Sequence, residues 1–143
     1  IERKMKNNDI EKMKPRRFIL FEYIGATILL TYKNLFSPEQ YERMLKNLID
    51  HTHKIDVKSE YSKVFASIYF EMGIIEEKKL NNNTNIGPED VYDLYYIAVL
   101  HSDEKRIHNT CKIFFQKHKL FGGIKKEINK RSKHSAEILS LYK

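Results

Sequence analysis

Tryptophan is absent from the chain and Cys111 is its only cysteine. No internal disulfide can form, a usage that fits a reducing compartment, and the large volumes of a core fall to phenylalanine and tyrosine. Glycine and proline are scarce, at five and three. The glycines spell neither GxxxxGK[ST] nor GxGxxG, so no phosphate-cradling loop marks a nucleotide pocket. No CxxC pair occurs either. Also missing is any run of about 20 apolar residues, the length a membrane span requires. The longest stretch nearly free of charge is FILFEYIGATILLTY, Phe18 to Tyr32, which is interrupted by Glu22. Arg16 and Arg17 precede it like the basic start of a signal peptide, but KNLFSPEQ follows where a small-residue cleavage site would stand. Residue 1 is Ile rather than Met, so a preceding targeting segment stays compatible with the sequence.

What is present in excess is positive charge, at +7 overall. Lys, Asn, Ile, Tyr and Phe are abundant, the bias that an A+T-rich genome imposes, and part of the lysine has that origin. Its distribution has another. Residues 1–17 carry a net +4 and residues 119–143 a net +5, leaving about −2 between them. Basic ends on a mildly acidic body point to a polyanion or an acidic partner. The candidate contact set is Arg16, Arg17, Lys125, Lys126, Lys130, Arg131 and Lys133. Within KKEINKRSKH, Lys126, Lys130 and Lys133 fall on one helical face, and termini that lie near each other would merge both ends into one positive surface. No RNP, KH or helix-turn-helix pattern accompanies the run.

Periodicity predicts an all-α fold: a single compact domain of about six helices from residue 15 to 143, bundle-like, behind a flexible or frayed basic arm at 1–14. The helix at 18–33 is apolar on every face of the wheel and is expected to be the buried centre, entered through Pro15. In FSPEQY, Ser37 is an N-cap, Pro38 the first helical residue and Gln40 the return arm of a capping box. Asp56 would cap a third helix with a stripe of Tyr61, Val64, Phe65, Ile68, Met72 and Ile75, weakened or ended at Gly73. Residues 76–85, charged and then Asn-rich, read as the longest exposed loop. Pro88 opens a helix whose Tyr92, Tyr95, Tyr96, Val99 and Leu100 cover much of the wheel. Ser102 or Asp103 caps a fifth helix over 103–120, Gly122 and Gly123 stop it, and a sixth runs from Ile124 to about Tyr142. Ala26, Ala66 and Ala98 are small residues that allow close helix approach.

No catalytic spacing emerges. His108, Cys111 and His118 share a helical face, but His118 is roughly 15 Å along the axis from His108, too far for one metal ion. His51 and His53 point to different sides, and His101 beside Asp103 or Glu104 matches an ordinary charged cap as well as an acid–base pair. The tyrosines of YDLYY read as core. The expectation is a non-enzymatic, intracellular and cytoplasmic interaction module that binds a protein partner or itself. It has no metal, cofactor, small-molecule substrate or membrane span. The alternatives are RNA or DNA binding through the basic ends, and an enzyme with no sequence-visible motif.

Overall fold

The computed structural model describes residues 21–52, 61–82, 85, 87–131 and 134–143, and every regular element among them is helical. Helix α1 covers 21–31 and leads through a 3-10 turn, Lys33–Leu35, into α2, Pro38–Thr52. Then follow α3 (Ser62–Asn82), α4 (Pro88–His101), α5 (Lys105–Lys117), α6 (Phe121–Lys130) and α7 (Ala136–Ser140). The chain groups into two compact units, Ile1–Asp56 and Val57–Lys143. Pro15, the 1–14 arm and Asp56 lie outside the described residues.

In the first unit the capping box forms in both directions. The Ser37 N–H donates to Oε1 of Gln40 at 3.1 Å, and the Gln40 N–H donates to Oγ of Ser37 at 3.2 Å. Two otherwise orphan donors are thereby satisfied, and α2 starts at Pro38 as its sequence demands. The expectation that fails is the burial of α1. Only Ala26 and Leu29 of this helix are buried, while Phe21, Ile24, Ile28 and Tyr32 are exposed. A helix that is apolar all round needs neighbours all round to bury it. Among the described residues of this unit the other α-helix is α2, and the side of α1 that carries Phe21, Ile24, Ile28 and Tyr32 is exposed.

The organising helix of the second unit is α4, which packs against α3, α5 and α6, most extensively against α3. Small residues set the approach, since Ala66, Gly73 and Ala98 are all buried. A Cβ added to Gly73 would fall 2.6 Å from Cδ1 of Tyr95 and closer still to Cε1, so the Tyr95 ring occupies the place of the missing side chain. Gly73 therefore does not end α3. It is where α4 docks, and the helix continues to Asn82 through most of the stretch expected to be a loop. Glu77, on that added length, accepts a hydrogen bond from the Tyr95 hydroxyl at 2.7 Å. Around Tyr95 stand Phe70, Phe114 and Phe115 with ring centroids 5.4 to 6.5 Å away, the two from α5 edge-on.

Two further boundaries depart from the sequence reading. Helix α5 ends at Lys117, before the glycine pair, through a Schellman motif: the Leu120 N–H reaches the Phe115 carbonyl and the Lys119 N–H the Gln116 carbonyl, at 2.7 and 3.2 Å. Lys119, at φ 60°, takes the left-handed position usually given to glycine. Gly122 and Gly123 fall inside the first turn of α6. The single final helix expected from Ile124 is two, because Arg131 leaves helical geometry and Ser135 opens α7 by accepting the Ile138 N–H. The cap at the α4–α5 corner also differs in detail. Glu104 is the N-cap residue, and Oγ of Ser102 accepts the Glu104 N–H at 3.0 Å.

Candidate functional site

Three groups of residues are candidates. The first is the basic set. Lys126 and Lys130, one turn apart on α6, are both exposed, opposite the buried Ile124 and Ile128. Lys125 and Arg131 are half-buried, and Lys130 lies 4.0 Å from Oε1 of Glu127. Arg16, Arg17 and Lys133 lie outside the described residues. The described part of the set is thus two exposed lysines, one of them paired to a glutamate, with two partly covered cations beside them.

The second group is a buried polar cluster where the C-terminal segment meets the α4–α5 corner. The His108 ring is fully buried. Its Nε2 lies 2.6 Å from the Ser102 carbonyl, which can only accept, so Nε2 carries the proton. Nδ1 is then the acceptor, 2.7 Å from the Tyr142 hydroxyl, which donates. Burial holds the His108 pKa below the ordinary histidine value, opposed by the Ser102 carbonyl and Asp103 and reinforced by His134. His134 is buried too. Its Nδ1 is 3.1 Å from a carboxylate oxygen of Asp103, which also meets Lys63 at 3.7 Å.

An imidazole with one nitrogen held by a carboxylate and the other free resembles a general base and its orienting partner. Nε2 of His134 is indeed buried without a hydrogen-bond partner among the described residues. However, the ring meets the His108 ring edge-on at 5.5 Å and is closed off from solvent. The cluster pins the segment 134–143 to the body of the unit. Asp103 therefore pairs across to His134, a partner that the sequence reading of His101 with Asp103 did not find.

The other histidine readings resolve similarly. Cys111 is buried and its thiol pKa is pushed up by burial, which keeps it protonated and unreactive. The His118 ring lies against Phe114, tilted at 42° with centroids 4.4 Å apart. Among the described residues no three His, Cys, Asp or Glu side chains gather to hold a metal ion. His51 donates from Nδ1 to the Asn47 carbonyl at 2.7 Å, and His53 is outside the described residues.

The third group is the uncovered side of α1. Phe21, Ile24, Gly25, Ile28 and Tyr32 recur at steps of three and four, which places them along one line of the helix. Helical hydrogen bonding continues to the Tyr32 N–H, which reaches the Ile28 carbonyl at 2.9 Å. The exposed fractions are 67% for Phe21, 45% for Ile24, 49% for Ile28 and 52% for Tyr32, and Leu35 beyond them reaches 78%. Beside this line runs an open groove of about 320 Å³, lined by Gly25, Ile28 and Leu29 of α1, Phe36, and Met44, Asn47 and Leu48 of α2. Its surface is almost wholly apolar.

Polar groups near the line are used internally. The hydroxyls of Thr27 and Thr31 donate to the carbonyls four residues back, at 2.8 and 2.7 Å. Glu22 has one carboxylate oxygen buried without a hydrogen-bond partner among the described residues. Burial raises its pKa, partly offset by His51. Scattered apolar residues on a surface are ordinary, whereas these form a continuous line beside an apolar groove. The all-round hydrophobicity of α1 is the sequence signal for this exposed line, and it is the same signal that burial inside the chain would give.

Comparison with known proteins gives no match: no family model fits the chain, and no curated protein or solved structure is significantly similar to it. No helix among the described residues is long and apolar enough to cross a membrane.

Proposed function

We propose that the chain is a non-enzymatic helical interaction module that docks an apolar helix face of a protein partner on the uncovered side of α1. One observation carries the reading: Phe21, Ile24, Ile28 and Tyr32 stand exposed in line beside the α1–α2 groove. A partner helix laid there would place residues at i, i+3, i+4 and i+7 into the groove and against the line, the usual helix-in-groove mode. Burying such side chains contributes roughly 25 cal/mol per Å² of apolar area removed from water. The line carries no charge, so nothing charged is desolvated when it is covered.

A fluorescent apolar dye such as anilinonaphthalene sulfonate tests this directly. Dilute wild-type protein is expected to enhance dye emission, and Ile28→Glu with Met44→Glu to remove most of the enhancement while the helical circular dichroism stays. Dye that fails to brighten, or brightens equally with the double variant, would contradict the reading.

RNA or DNA binding is the second reading, favoured by Lys126 and Lys130 standing exposed one turn apart. Two exposed lysines, one of them already paired to Glu127, account for a shallow salt dependence, since each neutralised phosphate adds a slope of roughly 0.9 in log affinity against log salt. Titration of duplex DNA and single-stranded RNA across a salt series is expected to show weak binding, reduced by Lys126→Glu with Lys130→Glu. No binding at low salt would remove this reading.

A further inference from the structure

The proposed docking surface carries an exposed aromatic knob and an apolar groove on the same helix. The knob and the groove lie on opposite sides of Gly25. Phe21 is one turn toward the N-terminus, and Leu29, in the wall of the groove, is one turn toward the C-terminus. At 1.5 Å per residue each is about 6 Å from Gly25 along the axis. If two copies of α1 cross antiparallel at Gly25, Phe21 of each copy comes opposite Leu29 of the other, over the groove between Ile28 and Met44. Ile24 of one copy then lies about 3 Å along the axis from Ile28 of the other. Such a contact is isologous and closes on itself as a dimer.

Two further observations favour a second copy as the occupant. Gly25 has nothing within 4 Å of the position a Cβ would take, so the helix backbone is open there to close approach by another backbone. The chain as a whole is at +7, but residues 21–52 carry three Lys or Arg (Lys33, Arg43, Lys46) against four acids (Glu22, Glu39, Glu42, Asp50). The described residues of this unit therefore set up no strong repulsion between like copies, and a strongly charged partner finds little on them to complement.

We infer that the chain forms a two-fold dimer through antiparallel contact of α1 with α1, with Gly25 at the crossing and Phe21 of each copy seated in the α1–α2 groove of the other. This inference rests on the interaction-module reading above. Six large exposed side chains, those of the line with Leu35 and Met44, make a small interface, so the dimer is weak and concentration-dependent.

Sedimentation equilibrium on the full chain, from low to high micromolar, tests it together with two variants. The wild type is expected to rise from the mass of one chain to that of two. Phe21→Ala is expected to weaken the dimer about tenfold, as loss of a central aromatic anchor does. Gly25→Leu is the sharper variant, because leucine is a better helix former than glycine and the site has room within its own chain. Helicity should hold or rise while the dimer is lost.

A wild-type chain that stays monomeric, or a Gly25→Leu chain that dimerises normally, would overturn the inference. The dye measurement separates this failure from that of the broader reading. A monomer whose stripe still brightens the dye loses only the self-pairing, whereas a monomer that does not brighten it loses both.

Discussion

Replacing Gly73 with valine is expected to destabilise the second unit by about 3 kcal/mol, the upper part of the range for overpacking a filled core. The space a side chain would need at this position is taken by the ring of Tyr95, with Cδ1 at 2.6 Å. Tyr95 cannot swing aside. It is fully buried, its hydroxyl is held by Glu77, and three phenylalanine rings surround it. Either α3 and α4 must separate, which opens their whole shared face, or the ring must leave its rotamer. Alanine brings the same Cβ but also the better helix propensity, worth roughly 1 kcal/mol, so Gly73→Ala should be the milder of the two. Urea denaturation followed by circular dichroism reads the difference as a shift in midpoint. Wild-type stability in Gly73→Val would mean that α3 and α4 do not meet as closely as described.

The second large effect is expected at the C-terminal clamp. Tyr142→Phe removes the hydroxyl that donates to Nδ1 of His108 and leaves a buried acceptor unpaired, at a cost of about 1–3 kcal/mol. The ring itself, stacked on Phe121 at 5.8 Å, remains, so the loss is that of the hydrogen bond rather than of packing.

The same histidine gives the stability a pH dependence. Burial keeps the folded His108 pKa below its unfolded value of about 6.5. As pH falls through that value, the unfolded chain takes up a proton that the folded chain refuses. The contribution is therefore complete above about pH 6.5 and declines toward the folded pKa. Asp103 and the Ser102 carbonyl favour the charged ring, while burial and His134 oppose it. Denaturation midpoints measured from about pH 8 down to about pH 5 should fall for the wild type and fall less for His108→Leu. Equal slopes would show that His108 is not held neutral.

The elements that the sequence made legible are those whose causes are local. Ser37, Pro38 and Gln40 fix the start of α2 within four residues of chain, and Pro88 with Glu89 and Asp90 does the same for α4. The helical period of the apolar residues gave the all-α class. What escaped depends on residues far apart in sequence. Gly73 looks like a helix breaker until Tyr95 is placed against it. His108 looks like a boundary residue until Ser102 and Tyr142 close around it.

Lys119 takes the cap position that Gly122 and Gly123 seemed made for, because the hydrogen bonds of the Schellman turn fall where α5 runs out of inward-facing positions after Phe115. The basic set was legible as charge but not as a surface, since the sequence does not say that Lys125 and Arg131 are half-covered while Lys126 and Lys130 are exposed. For α1 the composition was read correctly and its consequence was not. Hydrophobicity on all sides states that the helix will be covered, and leaves open whether by the same chain or by another molecule.

The most direct test of that last point is the solvent access of the stripe. In the variant Ile28→Cys, the introduced thiol is expected to react with a maleimide at the rate of a free cysteine in dilute solution. Cys111, buried with its thiol held protonated, is expected to stay unlabelled until the fold is opened by denaturant. An introduced thiol as protected as Cys111 in dilute solution would place Ile28 inside the chain's own core and contradict the account of α1 as a docking surface.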